Sequence, residues 1–262
     1  MIREEGPKAH QSKAGTPTMG GLLILFAMTV PFLILSNHST ASMLVLFTTL
    51  ACGAIGFVDD WMKIVKKRSL GLSGRWKMLA LVVISILLAV IAVKVVGVPT
   101  TIDFHVVSYS LEIGPIAFGV VVFLVLAGAT NAVNLTDGLD GLAIGCTISV
   151  TLVYGILAYI AGNVILSEYL LVPYVAGAGE LTVVCGAIVG AGLAFLWYNC
   201  YPAELFMGDT GSLALGGLIG IMAFMVQQPL TLVIVGGVFV WEAVSVIIQV
   251  AVFKYTKRRS PT

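Results

Sequence analysis

The sequence predicts an all-α polytopic membrane protein of about eight transmembrane helices, and three observations carry that expectation. Of 262 residues, 59% are hydrophobic and only 10% charged, with a mean hydropathy of +1.05, whereas soluble domains carry roughly 25% charged residues. The 14 Lys and Arg and 13 Asp and Glu are too few to clothe a water-facing surface, so most of the exterior must face lipid. Apolar stretches close to the ~20 residues that a bilayer-crossing helix needs follow one another along the chain. These stretches are continuously apolar and lack the ten-residue alternation of outer-membrane strands, which selects helices over a barrel.

Taken in order, the spans are expected near residues 18–36, 41–58, 77–97, 115–130, 142–161, 179–197, 212–227 and 229–250, the fourth and seventh being short. Gly and Pro within them are tolerated in a membrane. The opening stretch from Ile2 to Lys13 is polar and charged, unlike a secretory signal. Between the third and fourth spans, residues 98–114 (VPTTIDFHVVSYSLEIG) alternate and are rich in β-branched residues, which predicts a small hairpin outside the bilayer. Cys52, Cys146, Cys185 and Cys200 have neither metal-ligand spacing nor a disulfide framework and read as small core residues. With no repeat of 20 to 50 residues and no low-complexity linker, residues 1–262 read as one integral membrane domain. A formal net charge of +1 argues against nucleic acid as a partner.

Basic residues set the orientation, because short cytoplasmic loops retain Lys and Arg. Arg3, Lys8 and Lys13 precede the first span; Lys63, Lys66, Lys67, Arg68, Arg75 and Lys77 fill the loop after the second; Lys254, Lys257, Arg258 and Arg259 close the chain. Thirteen of the 14 basic residues thus fall on one side, Lys94 being the exception, and both termini are expected in the cytoplasm. Four polar segments land on that same face: GPKAHQSKAGTPTMGG, VDDWMKIVKKRSLGLSGRWK, NAVNLTDGLDG and NCYPAELFMGDTGS. Their convergence predicts a composite site.

Asp59 and Asp60 sit where the second span meets cytoplasm, with Lys63 one helical turn on. Two adjacent carboxylates next to hydrocarbon need a compensating cation, which points to metal or phosphate chemistry, although a solvated helix end with an ion pair to Lys63 would have the same sequence. Asn131, Asn134, Asp137 and Asp140 recur every three residues and would share one face of a helix or helical turn. Capping accounts for one or two of them, not four. Asp209, between Gly208 and Gly211 at the start of the seventh span, can hold a divalent cation against phosphate at a helix N-terminus, or can simply cap that helix. Lys8, His10, Lys13, Thr16 and Thr18 form a basic, hydroxyl-rich entry to the first span that suits phosphate and equally suits membrane anchoring. Glu242 and Gln249, seven apart, share a face of the last span.

GTPTMGG, GFVDD with the following Lys63, NAVNLTDGLDGLAIG and FMGDTGSLALGG occur in this order along essentially the whole chain. On these motifs the chain resembles the MraY translocases, the phospho-N-acetylmuramoyl-pentapeptide transferases, within the polyprenyl-phosphate N-acetylhexosamine-1-phosphate transferase superfamily. The resemblance implies transfer of phospho-MurNAc-pentapeptide from UDP-MurNAc-pentapeptide to undecaprenyl phosphate, forming lipid I and UMP for peptidoglycan synthesis at the cytoplasmic face of the bacterial inner membrane. It implies Mg²⁺ as cofactor, catalytic roles for Asp59, Asp60 and Asp209, and Mg²⁺ held by Asp209 with Asn134 nearby. Asp137, Asp140, Asn199 and Phe206 are implied around the uridine, and Asn134, Lys13, Thr18 and Gln249 also match substrate-side positions. The family has ten spans, with one before GPKAH and a His-rich cytoplasmic motif and final span beyond FKYTKRRSPT, so a partial version is expected here. A sister transferase using UDP-GlcNAc, a transporter with Glu242 on its path, and a truncated inactive chain are the competing readings. The oligomeric state stays open, a homodimer included.

Overall fold

In the computed structural model the described residues are 16–66, 70–104 and 109–256, and they form ten α-helices and one hairpin. Seven helical segments among them are long and apolar enough to cross a membrane. These are α2 (Thr40–Val65), α3 (Gly74–Ile91, continued by a π-helical turn to Val96), α4 (Gly114–Thr136), α5 (Leu142–Ala161), α7 (Leu181–Asn199), α8 (Gly208–Met225) and α10 (Gly237–Thr256). An eighth apolar helix, α1 (Gly21–Leu35), has 15 residues, about 22 Å at 1.5 Å per residue, and is short for a core of ~30 Å. Short helices α6 (Val164–Tyr169) and α9 (Thr231–Val235) complete the set. β1 (Thr101–Phe104) and β2 (Tyr109–Glu112) pair antiparallel with Thr101 opposite Glu112, forming the expected hairpin.

Several boundaries differ from the sequence reading. α2 runs on to Val65 instead of ending near 58, which puts Asp59 and Asp60 inside the helix. α4 continues to Thr136, so Asn131 and Asn134 are helical and the turn begins only at Asp137. α8 starts at Gly208, four residues early, because its polar first turn is held by side chains of other helices. The last expected span breaks at Gly236 into α9 and α10, and α10 then runs on to Thr256.

The core is organised around α8, which is almost wholly buried and packs chiefly against α2 and α4. Its glycines permit this. A Cβ at Gly216 would lie 2.5 Å from the Thr130 Cα on α4, and one at Gly217 would lie 2.7 Å from Cys52 Sγ on α2. Gly21 and Gly211 abut each other where α1 crosses α8. Such close approach of backbones is how apolar helices associate when lipid removes the hydrophobic driving force between them. α10, by contrast, is almost unburied and contacts α4 and α9.

Successive long helices alternate in direction, so the starts of α1, α3, α5 and α8 gather with the ends of α2, α4 and α7 at one face. The chain before α1 is stitched there by backbone bonds from Phe206 N–H to the Pro17 carbonyl (2.9 Å) and from Gly20 N–H to the Phe206 carbonyl (2.9 Å). This face carries every strongly polar cluster described below.

Candidate active site

At the centre of that face Asp59, Asp60 and Asp209 each offer an oxygen within 4.8 Å of the others. Asp59 and Asp60 come from the last third of α2 and are both buried, while Asp209 lies in the first turn of α8. Two ammonium groups bind them together. Lys63 Nζ lies 2.5 Å from Asp59 Oδ2, 3.5 Å from Asp60 Oδ1 and 3.2 Å from Asp209 Oδ1. Lys77, in the first turns of α3, reaches Asp59 Oδ1 at 3.0 Å and Asp209 Oδ2 at 2.6 Å. Three carboxylates against two ammonium groups leave the cluster with one negative charge, at the boundary where that charge is poorly solvated.

The adjacent aspartates are held differently. Both the backbone N–H and the hydroxyl of Thr210 donate to Asp60 Oδ2, at 2.9 and 2.8 Å. Met207, the residue preceding α8, makes no side-chain cap, so Asp60 supplies from α2 the capping oxygen that α8 lacks. Asp59 Oδ1 instead accepts from the Leu72 backbone N–H at 2.7 Å. Its Oδ2 has no aligned hydrogen-bond donor among the described residues despite the nearby Lys63.

Asn134, at the end of α4, donates to Asp209 Oδ1 (3.1 Å) and to Ser212 Oγ (2.8 Å), so it steadies the acid from the side opposite Lys77. Asp137, just past α4, takes a hydrogen bond from the Gly208 backbone, which lowers its pKa, but burial outweighs this. Together with the negative charges of Asp209, Asp60 and Asp140, burial raises its carboxyl from 3.8 to about 8. Thr18 lies against Gly208, where a Cβ would sit 3.2 Å from its Oγ1.

The expected residues therefore divide. Asp59, Asp60, Asp209, Asn134, Asp137 and Thr18 converge on the start of α8. Asp140 and Asn199 are engaged one layer away: Asp140 Oδ2 accepts from Ala203 N–H (3.2 Å), and buried Asn199 accepts from Gly141 N–H (3.1 Å) and donates to the Leu205 carbonyl (2.8 Å). They tie the α4–α5 turn to the segment 200–206, which positions Phe206. Gln249, on α10, bonds to Ser245 of its own helix and joins none of these ion pairs. Asn131 bonds back to the Ala127 carbonyl and is exposed, so the four-residue polar face expected from 131 to 140 is divided by the end of the helix. Lys13 lies outside the described residues. Lys77, Thr210 and Ser212 were missed by sequence reasoning, Lys77 having counted only as a basic residue for orientation. No local pattern marks it, since its partner Asp209 is 132 positions away.

An apolar cleft of about 250 Å³ opens between α4, α8, α9 and α10. Val125, Gly128, Ala129, Ala132 and Val133 line it along α4, and the next residue is Asn134.

Comparison with known families decides what class of enzyme this is. Residues 42–227 match the model of glycosyl transferase family 4. The chain belongs to that family. Residues 13–25, which include Lys13 and Thr18, also match signature 1 of the phospho-N-acetylmuramoyl-pentapeptide transferases. As a family 4 transferase the protein is a multi-pass membrane enzyme handling phospho-sugars, and the match spans α2 through α8, the elements that carry all three clustered aspartates.

A divalent cation fits these residues. The donors are hard carboxylate oxygens, one of them a buried oxygen without an aligned donor, and Asn134 stands beside Asp209. A divalent charge would also convert a cluster of net −1 into one of net +1, the sign that phosphate requires.

Proposed function

We propose that this chain transfers phospho-MurNAc-pentapeptide from UDP-MurNAc-pentapeptide to undecaprenyl phosphate, releasing UMP and forming lipid I, at the cytoplasmic face of the bacterial inner membrane. The observation that carries the reading is the signature match at residues 13–25, joined to a cluster of three carboxylates and two lysines. A lipid phosphate must approach a pyrophosphate, so two anions meet. Lys63 and Lys77 place two fixed positive charges where those anions would lie, and the positive end of the α8 dipole adds to them.

Each side chain has a part in that reading. Asp209 and Asp59 would hold Mg²⁺, with Asn134 orienting Asp209; the ion supplies charge neutralisation for the transferring phosphoryl group. Asp60 fixes the start of α8 and with it the direction of Asp209. Asp59 is held at Oδ1 by the Leu72 N–H and Lys77 and at Oδ2 by Lys63, which fixes how it would face the Mg²⁺ ion. Asp137, which takes a hydrogen bond from the Gly208 backbone beside Asp209, lies where the nucleotide would be bound. Asp140 and Asn199 support the loop bearing Phe206, on which the nucleotide base would rest. The apolar cleft lined by α4 and α10 has room for part of a prenyl chain.

The test is UMP release by the purified protein in detergent, with UDP-MurNAc-pentapeptide or UDP-GlcNAc, and with or without undecaprenyl phosphate. The expected result is release that requires the lipid, requires Mg²⁺ and favours the muramoyl substrate. Preference for UDP-GlcNAc would move the chain to the sister transferases, and release without lipid would make it a hydrolase.

A further inference from the structure

The stretch just before α3, residues 70–73, closes against Asp59 so tightly that a side chain at Gly71 would force a shift. A Cβ built at Gly71 would lie 2.5 Å from Asp59 Oδ1 and 2.6 Å from both Cγ and Oδ2, inside any allowed contact. Gly71 is not at a left-handed backbone position, so space alone restricts it. The next residue, Leu72, gives its N–H to Asp59 Oδ1 at 2.7 Å. Five residues on, Lys77 meets the same oxygen at 3.0 Å. One short stretch thus delivers a backbone donor and an ammonium to a single buried carboxylate, while Gly71 pressed against the carboxyl plane limits its rotation.

We propose that Gly71 and Leu72 are positioning residues for the transfer reaction: the backbone at 71–72 clamps the Asp59 carboxyl, fixing Oδ1 toward Leu72 and Lys77 and Oδ2 toward Lys63. The inference rests on the transferase reading. A side chain at 71 forces either the Asp59 carboxyl or the loop to move by an ångström or so, and misplacement of that size costs up to roughly a hundredfold in rate. Neither residue contacts the substrate in this account; both act through Asp59.

Gly74 provides a control within the same stretch, because a Cβ there meets nothing within 4 Å. In the lipid-dependent UMP-release assay, Gly71→Ala should lower kcat by roughly tenfold to a hundredfold and change KM for the UDP-sugar by less than about twofold, whereas Gly74→Ala should leave both close to wild type. Hydrogen exchange followed by mass spectrometry on peptides covering residues 70–78 gives a readout independent of turnover: the Leu72 amide should be slowed in the wild type and in Gly74→Ala, and fast in Asp59→Ala and Gly71→Ala. Unchanged exchange at Leu72 in Asp59→Ala removes the clamp. An intact clamp with wild-type kcat in Gly71→Ala overturns its positioning role, as does an equal loss of kcat in Gly74→Ala. If the wild type turns over no UDP-sugar, the transferase reading fails, and the exchange data still decide whether the clamp exists.

Discussion

Asp59 and Asp60 are neighbours in sequence with opposite obligations in the fold, and this governs what substitution at each should do. Asn at position 60 keeps an oxygen able to accept both bonds from Thr210, whereas Ala leaves the start of α8 uncapped. Asp60→Ala should therefore unfold more readily than Asp60→Asn by about 1–2 kcal/mol, seen as a lower midpoint in denaturant. Asp59→Asn should lose turnover by roughly a hundredfold or more, with UMP binding by calorimetry largely retained, Asp60→Asn should lose less because it keeps the cap on α8, and Asp140→Ala should weaken UMP binding by freeing the loop at Ala203. The reverse pattern of binding losses would reassign the roles. At Asp209, Asn preserves shape and removes the charge that two lysines and Asn134 surround, so activity should fall by orders of magnitude and excess Mg²⁺ should not restore it. Asp137 adds a pH signature. Its carboxyl, raised to about 8 in the folded protein from 3.8, holds a proton that the unfolded chain has already lost between those values. Stability of the metal-free protein should then fall as pH rises from about 4 to 8 and level off above. Thermal unfolding across that range should show a shallower slope in Asp137→Asn, and an identical slope would mean that Asp137 is ionised in the folded state.

At the scale of the element, α8 is where sequence and structure inform each other most. Its glycines were legible as a motif around Asp209, but their packing role was not, because periodicity cannot say which helix lies opposite. Gly56 of α2 faces the Asp209 carbonyl with no room for a Cβ, so Gly56→Ala must push α2 away from the first turn of α8. A destabilisation of about 1–3 kcal/mol is expected from overpacking, with loss of activity, since the same turn carries Asp209. Gly186→Ala on α7, where a Cβ would meet nothing within 4 Å, should be neutral or slightly stabilising through helix propensity. Equal effects at the two positions would refute close packing as the cause. The end of α4 was misjudged by six residues for a related reason. Asn131 and Asn134 look like loop residues by composition, yet Asn131 bonds back into its own helix and Asn134 is held by Asp209 and Ser212, so tertiary partners let the helix continue through polar sequence.

For the whole molecule, alternation of apolar runs made the helical architecture legible, and convergence of the four polar segments made the location of the site legible. What stayed hidden were links across long sequence separations, such as Lys77 to Asp209 and Thr210 to Asp60, because a linear pattern contains no record of which helices are neighbours. The orientation rests on charge alone and can be tested directly. Cys200 is exposed at the site face, in a segment that the basic-residue asymmetry assigns to the cytoplasm, whereas Leu171, 87% exposed, lies between α6 and α7 on the opposite side. With buried Cys52 and Cys185 and the partly buried Cys146 replaced by Ala or Ser, a membrane-impermeant maleimide applied to intact cells or right-side-out vesicles should label Leu171→Cys and leave Cys200 unmodified until the membrane is permeabilised. The physical basis is the positive-inside rule, by which the sequence assigns thirteen of 14 basic residues to one side. Labelling of Cys200 from outside would place the carboxylate cluster away from the cytoplasm, out of reach of a UDP-sugar, and the proposed transfer would be untenable whatever the geometry of the three aspartates.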